Sequence, residues 1–168
     1  MITPDYVRAM ARYNAWQNRQ LIAALKDAPD DVLRAERGAF FGSIMGTLNH
    51  LLFGDTLWMN RFEPRISAPA KGLDHLNFTP NVAVWSTERA RLDGEILAWA
   101  DAVSSDDLNG DLHWNSIVLE RDFKQNRSRC VVHLFNHQTH HRGQVHAMMT
   151  SVGLRAPVSD VILMPEDE

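Results

Sequence analysis

A single cysteine, Cys130, stands in 168 residues, so no disulfide can close within the chain. No apolar run approaches the roughly 18 residues that a membrane span needs. The opening stretch MITPDYVRAMARYN carries charges where a secretory signal would carry an apolar core. Basic residues are not in excess: 17 Lys and Arg face 21 Asp and Glu, a net charge of −4. Without a basic stripe there is no electrostatic footprint for nucleic acid or an anionic membrane surface. Repeats, low-complexity tracts and dividing linkers are also missing. These absences leave the expectation of one cytoplasmic domain over residues 1–168, with neither nucleic acid nor membrane as partner.

Apolar residues make up 45% of the chain and charged residues 23%, which excludes global disorder. Histidine is prominent. There are eight, and His137, His140, His141 and His146 fall within ten residues, with His133 just upstream.

Four long helices are predicted. The first spans about 4–28, with Thr3 as cap, Pro4 in the first turn and Pro29 as the stop. The second spans about 40–62, from Phe40 to Phe62, is apolar over most of its circumference, and ends before Pro64. Residues 65–78 mix Pro, Gly, Ser and Lys and form a crossover loop. The third helix opens at Thr79-Pro80 and closes at Ser104-Ser105-Asp106-Asp107. Residues 107–125 form a long loop with hairpin character, in which Asn109-Gly110 is a turn signal and Ser116-Ile117-Val118-Leu119-Glu120 a strand candidate. The fourth helix spans about 127–152, with Gly153 as its C-terminal glycine. Four helices and one long crossover make a four-helix bundle the leading fold.

A helix advances about 100° per residue, so the last helix can be drawn as a wheel with Leu134 at zero. Val131, Val145, Met148 and Val152 then cluster within about 60° of it and mark the core stripe. His141 falls at about −20° and His137 at about −60°, one turn apart on the inward face. His133 and His140 lie largely off the stripe, and His146 is on the other flank. Two neutral imidazoles fixed one turn apart are half of a metal site. A third ligand should come from another helix. His50 is the best candidate, because it sits in the most apolar helix, where an unpaired imidazole is costly. Its same-face neighbours Gly46 and Gly54 each cost about 1 kcal/mol against alanine in a helix interior. Either another element approaches closely there, or space is kept for an ion and a small ligand. His75 and His113 fall in loops and are expected to face solvent. Three histidines leave one coordination position open, as in catalytic zinc sites, and suit Zn, Ni, Cu or Fe rather than Mg or Ca.

Several classes drop out. His137-Gln138-Thr139-His140-His141 carries Gln138 where a zinc peptidase of the His-Glu type needs its glutamate base. No glutamate has a histidine three residues on, which excludes a di-iron carboxylate bundle. The Cys-x-x-Cys-His haem attachment is absent. A phosphotransfer bundle would use one exposed histidine, such as His133 or His140, and would explain neither His50 nor the inward pair.

The segment His133-Leu-Phe-Asn-His137-Gln-Thr-His-His141-Arg142-Gly143-Gln144 resembles the C-terminal helix signature of the DinB/YfiT-like proteins. Leu48-Asn49-His50-Leu51, followed by Asp55 and Trp58, resembles their second helix, and Tyr13-Asn14-Ala15-Trp16-Gln17-Asn18 their first. The resemblance implies an all-α four-helix bundle in up-down-down-up order and a homodimer. It also implies one divalent transition metal per chain, nickel or zinc, held by His50, His137 and His141. The wheel selects His137 and His141, and the cost of an unpaired imidazole in the second helix selects His50, so the two readings agree. The chain lacks the tyrosine often found at the position of His140, leaving His140 as an extra ligand, a proton carrier or a surface residue. Better-understood relatives are metal-dependent thiol S-transferases or isomerases that use bacillithiol, mycothiol or glutathione. A DNA-damage label attaches to the family through induction, not mechanism.

Three functions therefore compete. The first is metal-dependent transfer of a low-molecular-weight thiol to a small electrophile. The second is metal-assisted hydrolysis of a small molecule, and the third a non-catalytic metal-binding dimer scaffold. No catalytic residue beyond the ligands is assigned. Gln144 is expected to support the site, and Arg142 to project away from the core stripe into a structural salt bridge. Asp55 projects about 140° round its helix from His50 and is no ready-made base for it.

Overall fold

The computed structural model describes residues 2–70, 72–116 and 120–166. Four long helices, α1 (Pro4–Leu25), α3 (Ile44–Phe62), α4 (Val82–Ala102) and α5 (Arg127–Ser151), form the bundle. A short helix α2 (Asp30–Arg34) follows α1, and a hairpin of β1 (Asp111–Ser116) and β2 (Arg121–Asn126) precedes α5. Around the bundle, α1 packs against α4 and α5, and α3 packs against the same two, so α1 and α3 are diagonal. Buried apolar side chains from all four helices merge into one cluster, with Trp85, Phe135, Leu48, Leu52 and Leu92 among the most enclosed. Each such side chain stabilises the fold by about 1.5–3 kcal/mol relative to exposure. No helix among the described residues is long and apolar enough to cross a membrane.

Capping explains where the helix boundaries differ from expectation. Thr3 caps α1 as expected, accepting the amide of Tyr6 at 3.3 Å. The second long helix starts at Ile44, four residues later than its apolar run suggests. Ser43 accepts the Gly46 amide at 3.0 Å, and Gly42 adopts φ +72° just before it. Phe40 and Phe41 are thereby left in the preceding loop. Similarly, α4 is capped by Asn81, not Thr79. Thr79 is taken by α3: its amide (3.0 Å) and hydroxyl (2.6 Å) both donate to Asn49 Oδ1. Asn49 Nδ2 donates in turn to the carbonyl of Leu76 at 2.9 Å, which pins the crossover onto α3. Gly153 takes φ +75° just beyond α5, as its position implied.

The hairpin is present, antiparallel, with Asp111 opposite Asn126 and Ser116 opposite Arg121. Asn109-Gly110 precedes its first strand instead of forming its turn. Of the strand candidate at 116–120, Ser116 closes β1, and Ile117, Val118 and Leu119 lie outside the described residues.

A buried polar network runs through the bundle. Asp55 on α3 pairs with Arg89 on α4 at 2.6 Å, and Arg89 pairs with Asp93 at 2.9 Å. Asn18 on α1 donates to both Asp93 oxygens at 3.0 Å. Arg142 on α5 donates to Asn14 Oδ1 and, at 3.0 Å, to Gln138 Oε1. The expectation for Arg142 is corrected here: it is buried, and amide oxygens hold it, not a carboxylate. The wheel that found the inward histidines also puts Gln138 at about +40° and Arg142 at about +80°, toward α1. Burial pushes the Asp55 carboxyl up to about 6 against the pull of Arg89. Asp55 therefore belongs to this network and not to the histidine site.

Candidate metal centre

The bundle brings His50, His137 and His141 together. One nitrogen from each lies within 4.8 Å of the others. His50 Nε2 and His137 Nε2 are 3.0 Å apart. Two ligands held at about 2.0–2.1 Å from one tetrahedral zinc sit roughly 3.3 Å from each other, so this spacing fits a shared ion. The donor set fits as well, because imidazole is borderline-soft and suits Zn, Ni or Cu.

Neighbours fix how the rings present themselves. His141 Nδ1 lies 2.7 Å from Gln144 Oε1, an oxygen that can only accept. The proton of neutral His141 is therefore on Nδ1, and the Nε2 lone pair is free. Gln144 Nε2 lies 3.3 Å from His140 Nε2, so one amide bridges two histidines. His50 Nδ1 is 3.0 Å from His75 Nδ1, where one ring must donate to the other. Second partners of this kind set tautomer and ring orientation in metal sites. His137 Nδ1 is buried without a partner.

His75 was expected to face solvent. It is half-buried against His50, because Asn49 draws the crossover back along α3 and carries the short turn His75–Asn77 with it. His113 is exposed on β1 as expected, and His133 and His140 are exposed on α5. Phe41, displaced from the helix, stacks on His50 at 3.8 Å between ring centroids and lies 5.1 Å from His141. Helical periodicity misassigned Phe41, and the Gly42-Ser43 pair was the signal that could have corrected it.

Burial is the main force on the imidazoles. It lowers His50 to about 4, with His141 and His75 adding to the effect. It lowers His137 to about 3, with His141 and His50 as further contributors. His141 is also lowered by burial, against the opposing hydrogen bond from Gln144. All three are thus neutral, the form that binds metal, across ordinary pH.

The two interior glycines of α3 have separate reasons. A Cβ at Gly46 would lie 2.5 Å from the carbonyl oxygen of Phe41, so the loop approaches too closely for alanine. A Cβ at Gly54 would lie 3.2 Å from Cε1 of His137, so this glycine makes room for a ligand ring. His50 and His137 line a cavity of about 450 Å³, walled by Phe53, Leu57, Trp58 and Leu73 and bounded by His75 and Arg61.

The family model described as the DinB family matches residues 1–168. The chain belongs to the DinB family. As a DinB-family chain it is 24% identical over 160 residues to the protein DinB of Bacillus subtilis (strain 168), covering 93% of this chain and 91% of that one. Its fold is similar to the crystal structure of a DinB-like protein from Bacillus cereus ATCC 10987. The TM-score is 0.61 at 16% identity, over 85% of this chain and 90% of that one.

Proposed function

We propose that this DinB-family protein holds one divalent transition metal, nickel or zinc, on His50, His137 and His141, and transfers a low-molecular-weight thiol to a small electrophile. The observation that carries the proposal is the convergence of three neutral imidazoles, two of which, His50 and His137, line a mainly apolar cavity. A metal held there would supply a Lewis acid with an open position, which favours the thiolate form of a bound thiol. The chain's own groups do the rest. His50, His137 and His141 offer lone pairs, and Gln144 keeps the His141 proton on the outer nitrogen. Phe41 covers one side of His50 and keeps water from it. Phe53, Leu57 and Trp58 give an apolar electrophile a surface to lie on.

Transfer is favoured over hydrolysis by what surrounds the triad. No carboxylate lines the cavity among the described residues, and the buried Asp55 and Asp93 are committed to Arg89. Hydrolysis would lack the usual carboxylate base for its water. The family resemblance adds a homodimer to this proposal, which sedimentation of the purified chain would test.

The test of function has two steps. Metal content is measured by inductively coupled plasma mass spectrometry on untagged protein and on His50→Ala, with about one ion per chain expected in the first and none in the second. The metal-loaded protein is then given monochlorobimane with and without a thiol. Consumption only with thiol supports transfer, consumption without it supports hydrolysis, and none with any thiol supports a scaffold.

A further inference from the structure

Arg61 stands at the far end of the cavity from the triad, and nothing in the metal reading uses it. It lies on α3 eleven residues after His50. With a rise of 1.5 Å and a turn of 100° per residue, the two are on nearly the same face, with Cα atoms about 16 Å apart along the axis. Gly54 and Leu57 fill the stripe between them, so the cavity runs along three turns of one helix.

The guanidinium of Arg61 sits in a notch between two indoles. Its central carbon is 4.4 Å from the Trp58 ring centroid and 5.0 Å from that of Trp114, and the two rings meet edge to face. Contact with a ring face holds the planar cation in place and leaves its N–H edge available. Among the described residues that edge is unmatched. No carboxylate lies within ion-pair distance of Arg61 among the described residues, whereas Arg65 nearby pairs with Glu63 and Glu95. A half-buried cation with positioned donors, apolar walls and no protein anion is an incomplete pair.

We infer that Arg61 is the anion-binding end of the cavity, and that the ligand is an elongated small molecule carrying a carboxylate at one end, an apolar body and a metal-ligating group at the other. The carboxylate meets the N–H edge of Arg61, where a guanidinium fork matches its two oxygens. The body lies on Leu57 and Trp58, and Trp114 closes the anion end from the hairpin. Only the metal-ligating end rests on the function proposed above; the anion end stands on Arg61 alone.

The experiment compares ω-mercaptoalkanoates of graded chain length with the ω-mercaptoalkanols of the same lengths. Binding is read by calorimetry and by fluorescence of the tryptophans that flank Arg61, on metal-loaded and on chelator-treated protein. At the length that spans the cavity, the acid is expected to bind about ten-fold or more tightly than the alcohol, the scale of a charge-assisted pair. Arg61→Met should erase that difference, and Arg61→Lys should retain part of it, with both variants folded by circular dichroism. Equal affinity of acid and alcohol in the native protein, including no binding of either, overturns the inference without any variant. A preference for acid that survives Arg61→Met overturns it too. If the acid preference holds but neither metal removal nor replacing the thiol with a methyl group weakens binding, Arg61 keeps its role and the thiol-on-metal function fails.

Discussion

Gln144 Oε1 lies 2.7 Å from His141 Nδ1 while its amide nitrogen lies 3.3 Å from His140, so a single side chain decides which nitrogen of His141 is left to bind beside His50 and His137. Gln144→Ala should therefore weaken metal binding by about 10–100-fold, the usual effect of losing such a partner. The helix should remain intact, since alanine is a good helix former. Competitive chelator titration beside a thermal melt separates the two. A loss of melting temperature with unchanged metal affinity would make Gln144 purely structural.

His75 stands in the same relation to His50, from a different element. His75→Ala should lower metal affinity by a similar factor and disturb α3 little. Circular dichroism would show an unchanged helix signal.

Metal binding should resist acid. A protonated imidazole cannot bind, and three ordinary histidines near 6.5 would lose about a thousand-fold in affinity between pH 7.5 and 5.5. Here burial holds His50 at about 4 and His137 at about 3, and lowers His141 as well. Protons compete only at lower pH, so affinity should fall less than about ten-fold over the same interval. A steep loss centred near pH 6.5 in a chelator titration would contradict the burial of the site.

Gly54→Ala pits two effects against each other. Alanine gains up to about 1 kcal/mol of helix propensity, but its Cβ would lie 3.2 Å from the His137 ring. Metal affinity should drop while the melting temperature holds or rises. Gly46→Ala behaves differently, because its Cβ would lie 2.5 Å from a backbone oxygen that cannot rotate away. A destabilisation of about 1–3 kcal/mol in denaturant titration is expected there.

Arg89→Met should be among the most damaging single changes in the chain. It leaves Asp55 and Asp93 buried without their cation, a loss of about 3–5 kcal/mol. Urea titration would measure it, and a cost below about 1 kcal/mol would mean that the carboxylates are reached by water.

The parts of the site that were legible in the sequence are those governed by local periodicity. His137 and His141 share a face because they are four residues apart on one helix, and no tertiary knowledge is needed to see it. The distrust of a lone imidazole in an apolar helix was enough to add His50. The family signatures could be recognised but not explained: Asn14, Asn18 and Asp55 stood in them without visible work. The structure places all three in the polar network at Arg89 and Arg142. His75 was illegible because its position depends on where the crossover lands, and Asn49, a helix residue bonding loop atoms 27 and 30 positions away, decides that. Arg61 was passed over because a charge near a helix end is ordinary until the hairpin brings Trp114 against it. The cap at Ser43 was readable in principle, but the aromatic run before it continued the apolar pattern and masked the break.

The polar network also constrains how this sequence can change. Asn14 and Asn18, Asp55, Arg89 and Asp93, and Gln138 and Arg142 come from four separate helices and bond to one another. Replacing any one strands the rest, while replacing the ionic set together with apolar residues of similar volume can be close to neutral. Mutational paths through this patch are therefore closed to single steps and open only to coordinated ones. The surrounding apolar core, by contrast, can drift one side chain at a time. Two DinB-family chains could then share a fold at low identity and still be unable to exchange a single residue at these positions.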